Sequence, residues 1–387
     1  MKIFRSIKVL MISAAAFSLT GCGGNHNIRK MEKELKKTMI ANKAIGLAVV
    51  AVKDSSIFYQ GYFGYNDLEN KIPLKGDDLF RIASISKQFT ATALMQQVEK
   101  GKINLNEDVS ELVGFRVRNP KYPNDTITVR MLLSHTSSLN DKNGYFSLNV
   151  IDPDSTANWQ NAYNDYRPGS RYEYCNLGFN MLGTILERVS GERFDKYIVN
   201  HILTPLGIYG GYDVNSLDSS KFVKLYHYNH RTCKFEYSPE AYAPRRREIA
   251  DYKMGFSTPV FSPTGGMKIS ASGLAKIMIM HMNNGSEGNV RILSENSSRI
   301  MQSVQADSTE SGDKYGLALE ITGQVLPGKI MTGHTGSAYG VYSSFFFDPA
   351  EHFGFVVITN GIDERYENYF LTFHKDVDAV LYKYLIK

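Results

Sequence analysis

Ser84 and Lys87 stand three residues apart in the run Arg81-Ile82-Ala83-Ser84-Ile85-Ser86-Lys87-Gln88-Phe89. Phe89, Ala93, Leu94 and Val98 carry an apolar stripe onward and predict a helix ending near Lys100-Gly101. Helical residues three apart share a face, so the amine can meet the hydroxyl. A lysine kept from water or set among cations loses its proton near neutral pH and can take the proton of a serine attacking a carbonyl carbon. That is acyl transfer through serine, and it asks for no metal or cofactor. The pattern alone is cheap. It recurs at Ser311 and Lys314 within Ser308-Thr309-Glu310-Ser311-Gly312-Asp313, a polar loop that no apolar helix follows. Ser84 also reads as an ordinary first-turn serine satisfying backbone donors.

A second proton carrier must reach the leaving group. Tyr174, in Tyr174-Cys175-Asn176, follows Pro168-Gly169 and precedes a helix over 177–189 that stops at Ser190-Gly191. Asn176 can donate to a substrate carbonyl or hold Lys87. Tyr122-Pro123-Asn124 has the same spacing in a turn-rich surface stretch and ranks below it. Gly333-His334-Thr335-Gly336-Ser337 precedes an expected strand at 339–347, and its glycines let substrate come close to backbone. The amides of Ser84 and Ser337 can share an oxyanion, while His334 can polarise the tyrosine or touch substrate. No acid stands where a Ser-His-Asp triad would need it, and no Gly-x-Ser-x-Gly elbow surrounds Ser84. His227, His230 and Cys233 have tempting metal spacing but lack partners of the His-Glu-x-x-His kind. There is no dinucleotide fingerprint and no P-loop.

The elements that must position these groups lie at both ends. Residues 45–52 and 56–62 read as a hairpin through Lys53-Asp54-Ser55. Residues 339–347 and 354–359 read as another, turning near Asp348-Pro349-Ala350-Glu351. An amphipathic helix is expected over 28–40, and Phe370, Phe373, Val377, Val380, Leu381 and Leu385 mark a C-terminal one. The fold class expected is α/β: an antiparallel sheet flanked by terminal helices, with a mostly helical domain inserted. Residues 31–80 and 315–387 would form the sheet domain and 81–314 the helical one, with the active site between them. Residues 209–263, irregular and tyrosine-rich, would form a rim over a cleft.

Lys2, Arg5 and Lys8 precede a short apolar run, Val9 to Leu19, and then Leu19-Thr20-Gly21-Cys22. This resembles a bacterial lipobox, which implies a signal peptide over 1–21, a lipid such as palmitate on Cys22 and a tether over 22–30. The glycine after the cysteine leans towards the outer membrane where the cell has one. The protein is thus expected in the bacterial cell envelope, lipid-anchored, at the outer membrane or facing the periplasm in a Gram-negative cell. Removing 1–21 takes away Lys2, Arg5 and Lys8 and lowers the formal charge from +5 to +2. No long basic tract points to nucleic acid. Arg245-Arg246-Arg247 reads as a solvated face, and Cys175 and Cys233 read as free thiols.

Taken together, the motifs resemble the serine β-lactamase-related family, which includes class C β-lactamases, DD-peptidases and related esterases. The resemblance runs from about Ala44 to Thr359. Besides the Ser84 run, it rests on residues 127–139 (ITVRMLLSHTSSL), Pro168-Gly169, Tyr174-Cys175-Asn176, Leu182-Gly183, Thr264-Gly265-Gly266 and His334-Thr335-Gly336. It implies Ser84 as the acylated nucleophile, Lys87 as its base and Tyr174 as the proton carrier. Asn176 would position the acyl side chain. His334 and Gly336 would line the substrate strand, Ser337 would complete the oxyanion hole, and His135 would hold structure. Two departures stand out. His334 replaces the usual lysine, weakening the pull on a substrate carboxylate, and Cys175 replaces a common serine. The expected substrate is a small molecule or peptidoglycan-like peptide bearing a D-peptide, β-lactam or ester bond, processed by a monomer. The reading from another class is a non-catalytic penicillin-binding or cell-wall-binding lipoprotein.

Overall fold

The computed structural model describes residues 22–387. The expected signal peptide, 1–21, lies outside the described residues, as does the Cys22 side chain. Helix α1 spans Cys22–Ala41 and so takes in the 22–30 stretch expected as a tether. Strands β1 (Gly46–Lys53), β2 (Ser56–Asp67), β3 (Ile72–Pro73), β4 (Lys314–Tyr315), β5 (Glu320–Thr322), β6 (Met331–Ala338), β7 (Val341–Asp348) and β8 (Phe353–Thr359) form one sheet. Its order is β4-β5-β6-β7-β8-β1-β2-β3, and every neighbouring pair is antiparallel. Both chain ends therefore meet at its centre, where Val49 pairs with Val357 and Val50 with Val356.

Burial on both faces explains why β1 reads as an almost unbroken apolar run. Leu47, Val49 and Ala51 share one core with Met31 and Leu35 of α1 and with Phe373, Val377 and Leu381 of α5 (Thr372–Leu385). Ala48, Val50 and Val52 point the other way, as the two-residue period requires. They join a second core with Leu274, Ile277 and Met278 of α4 (Ala271–Met282). The inserted part is built on α2 (Lys87–Glu99), which packs against α3 (Asn176–Ser190).

One strand differs from expectation. The strand expected at 339–347 is β7, but residues 333–337 are more than its approach: they are the interior of β6, and Tyr339-Gly340 is the turn between the two. Both turn residues have positive φ, 56° and 89°, as a tight two-residue hairpin demands. Two glycines and a histidine have poor strand propensity, but pairing with β7 overrides it.

Cys175 and Cys233 are free thiols, Cys175 buried and Cys233 exposed. The arginine cluster is only partly a solvated face. Arg246 and Arg247 are exposed, whereas Arg245 is half-buried, donates to the Val260 carbonyl and lies over the Phe146 ring. Among the described residues, no helix is long and apolar enough to cross a membrane.

Candidate active site

Ser84 lies in a short 3-10 turn, Ala83–Ser86, that runs directly into α2. Ala83 takes φ 48°, an uncommon conformation for alanine that turns the chain sharply just before Ser84. Lys87 opens the helix and is completely buried. Its Nζ lies 3.1 Å from Ser84 Oγ, 2.9 Å from Asn176 Oδ1 and 3.0 Å from the Thr264 carbonyl. It also sits 4.6 Å from the centroid of the Tyr174 ring. Burial pushes the Lys87 amine down to about 7, against the opposing pull of Asp141 and then Cys175. A free amine is thus available near neutral pH, beside the hydroxyl.

Tyr174 is half-buried beside Ser84. Burial raises its phenol well above the ordinary range, while a hydrogen bond with Ser84 opposes the rise. It therefore stays protonated and can pass a proton on. His135 holds this loop from below. Its Nδ1 accepts from Cys175 N at 3.1 Å and its ring lies 4.3 Å from that of Tyr174.

One residue that sequence reasoning missed is Asp141. Its carboxylate accepts from Asn176 N, Asn176 Nδ2 and Leu177 N, each at 2.9 Å, thereby capping α3 and aiming Asn176 Oδ1 at Lys87. It is 35 residues from Asn176, so no local spacing could have revealed it. Thr264 Oγ1 donates to the same Asn176 oxygen at 2.6 Å. Asn176 thus has both ends of its amide engaged. Asp141→Ala is expected to cost about 2 kcal/mol of stability, as loss of a strong cap does. Thermal unfolding together with kcat should show activity falling further than the stability loss explains, because Lys87 loses its orienting partner.

Strand β6 closes the other side. A Cβ at Gly336 would lie 2.3 Å from the Ile82 carbonyl oxygen, 2.5 Å from Ser343 Oγ and 3.2 Å from Ser84 N. Ser343, another residue missed in the sequence, is fully buried and donates to the Ile82 and Gly336 carbonyls, at 3.0 and 3.3 Å. Strand and serine turn are clasped together there. Ser337, the next residue, has an exposed side chain. His334 is buried on the same strand. Its Nε2 meets Tyr315 Oη at 3.0 Å, and burial, then Lys87, lower the imidazole to about 3. It is neutral and its ring is 6.1 Å from that of Tyr174.

The remaining candidates fall elsewhere. Tyr122 lies in a turn beside Arg167. Ser311 lies near the site but donates to Asp313 at 2.7 Å, and Lys314 is exposed. His227 and Cys233 belong to a small surface hairpin, and His230 lies near Asp363 and Glu364. Among the described residues, no cluster of three metal-ligating side chains occurs.

Comparison with known proteins now bears on this geometry. The family model described as Beta-lactamase matches residues 28–370. "Protein flp" of Staphylococcus aureus (strain N315) is 28% identical over 193 residues, which is 47% of this chain and 37% of that protein. The chain thus matches little more than a third of that relative's length. Among solved structures, the octameric penicillin-binding protein homologue from Pyrococcus abyssi superposes with a TM-score of 0.71 at 24% identity, covering 92% of this chain and 76% of that one. D-amino acid amidase from Ochrobactrum anthropi superposes with a TM-score of 0.68 at 19% identity, covering 91% and 98%. At these identities the superpositions establish the fold: an antiparallel sheet with helices, of β-lactamase type.

Proposed function

Since this chain belongs to the beta-lactamase family, we propose that it is a serine hydrolase working through an acyl-enzyme on Ser84. The observation that carries the reading is the buried, low-pKa Lys87 amine 3.1 Å from the Ser84 hydroxyl. In the first step Lys87 takes the proton of Ser84 while Oγ bonds to the substrate carbonyl carbon. The carbonyl electron pair moves onto oxygen, which the amides of Ser84 and Ser337 receive. Lys87 returns the proton through Tyr174 to the departing nitrogen or oxygen as its bond to carbon breaks. Water then attacks the ester by the reverse proton path and frees Ser84. Asn176, with Asp141 and Thr264 behind it, holds Lys87; Gly336 and His334 shape the strand beside the substrate.

The substrate is an amide or ester of the D-peptide, β-lactam or small-ester kind. A site with a neutral His334 offers little attraction to a carboxylate, so antibiotic hydrolysis is the least favoured of the three. The location we propose is the cell envelope, through a lipid on Cys22, and the support for it is the sequence of residues 1–22.

A fluorophosphonate probe followed by peptide mass spectrometry tests the reading. The expected adduct is on the peptide containing Ser84, formed faster as pH rises through about 7. An intact, folded protein that takes no label, or takes it at another serine, overturns it.

A further inference from the structure

Beyond Ser84, the site opens into a cavity of about 280 Å³ on the Tyr174 side. On the reading above, this is the half that receives the leaving group. Its walls include Glu310, Glu320, Tyr172, Tyr315 and Tyr369, and among the described residues no lysine or arginine lines it. Glu310 reaches to 3.5 Å from the backbone N–H of Tyr174. Asp313, nearby, is satisfied by Ser311 and Gln324, each at 2.7 Å. Glu320 differs: burial, then the like charges of Asp313 and Glu310, push its carboxyl up to about 8, with no donor among the described residues opposing them.

We propose that this half of the cavity binds a positively charged leaving group, an ammonium held by Glu310 and Glu320 among tyrosine rings. Glu310 and Glu320, with no lysine or arginine lining the cavity, favour an ammonium over a carboxylate, and an ammonium bound there draws the proton off Glu320. Electron-rich ring faces add to the attraction. The polarity is the reverse of a site made for a leaving group that ends in a carboxylate. The inference rests on the acyl-enzyme reading and specifies its substrate: an amide or ester whose departing amine or alcohol carries a second, protonated amine.

A matched ester series separates the two claims. The esters 4-(aminomethyl)phenyl acetate, 4-ethylphenyl acetate and 4-(carboxymethyl)phenyl acetate share one acyl group and differ in the charge of the leaving phenol. The expected kcat/KM order is ammonium, then neutral, then carboxylate, with steps of about tenfold or more, the scale of one charged hydrogen bond. In Glu310→Gln/Glu320→Gln the span should collapse to within about threefold. Ratios are read within each variant, so a change in overall activity cancels. Turnover with equal rates, or with the carboxylate ester first, overturns the inference and leaves the hydrolase reading intact. No turnover of any ester, together with no fluorophosphonate adduct on Ser84, overturns both.

Discussion

Replacing Lys87 by methionine is expected to lower kcat/KM at least about a thousandfold while leaving the protein folded, because it removes the base and not the packing. The amine is completely buried and neutral over much of the working range, so an apolar chain of similar length suits the space. Ser84 Oγ, Asn176 Oδ1 and the Thr264 carbonyl each lose the lysine's donated bond, and Asn176 Oδ1 keeps the one from Thr264 Oγ1. Ser84→Ala should be equally damaging. The double variant should be no worse than either single one, since base and nucleophile act as a unit. A second readout comes from pH. With the lysine lowered to about 7, the wild-type kcat/KM should rise through that value as the amine loses its proton. The stability sign follows from proton uptake. The unfolded lysine holds its proton up to its ordinary value of 10.5, the folded one only to about 7. Between these values the unfolded state binds more protons, so stability rises with pH across that window. Lys87→Met should lack this rise. Denaturant titrations of both proteins at several pH values would measure it, and parallel pH profiles would refute it.

Gly336→Ala is expected to cut kcat/KM by about a hundredfold or more, the price of displacing reacting groups by about an ångström. The added methyl has no room: it would stand 2.3 Å from the Ile82 carbonyl oxygen and 2.5 Å from Ser343 Oγ. Both neighbours belong to the clasp between β6 and the serine turn. The strand must retreat, carrying the Ser337 amide away from Ser84. Overpacking of this kind also costs about 1–3 kcal/mol of stability. The discriminating measurement is the rate of adduct formation against thermal unfolding. Slow acylation in a protein that still melts cooperatively is the expected pair of results. Wild-type acylation would show that the clasp does not set the geometry.

Ser84 and Lys87 were legible because their relation is local, one helical turn apart, and helix geometry alone brings them together. Tyr174 and Asn176 were legible from their place just before a helix, and the buried strands from their unbroken apolar runs. The strand at 331–338 was missed because its glycines and histidine resist the strand pattern until β7 pairs with them. The N-terminal helix began earlier than its apolar face announced.

Sequence order alone determined the candidate serine–lysine pair, the family resemblance and the sheet built from both chain ends, since each rests on short-range periodicity or motif. Tertiary structure decided the rest. Only folding brings Asp141 under Asn176, Ser343 across to Ile82, and Glu310 and Glu320 into one cavity with Ser84. Burial, which depends on every packed element at once, is what lowers the Lys87 amine and turns a common three-residue spacing into a base beside a hydroxyl.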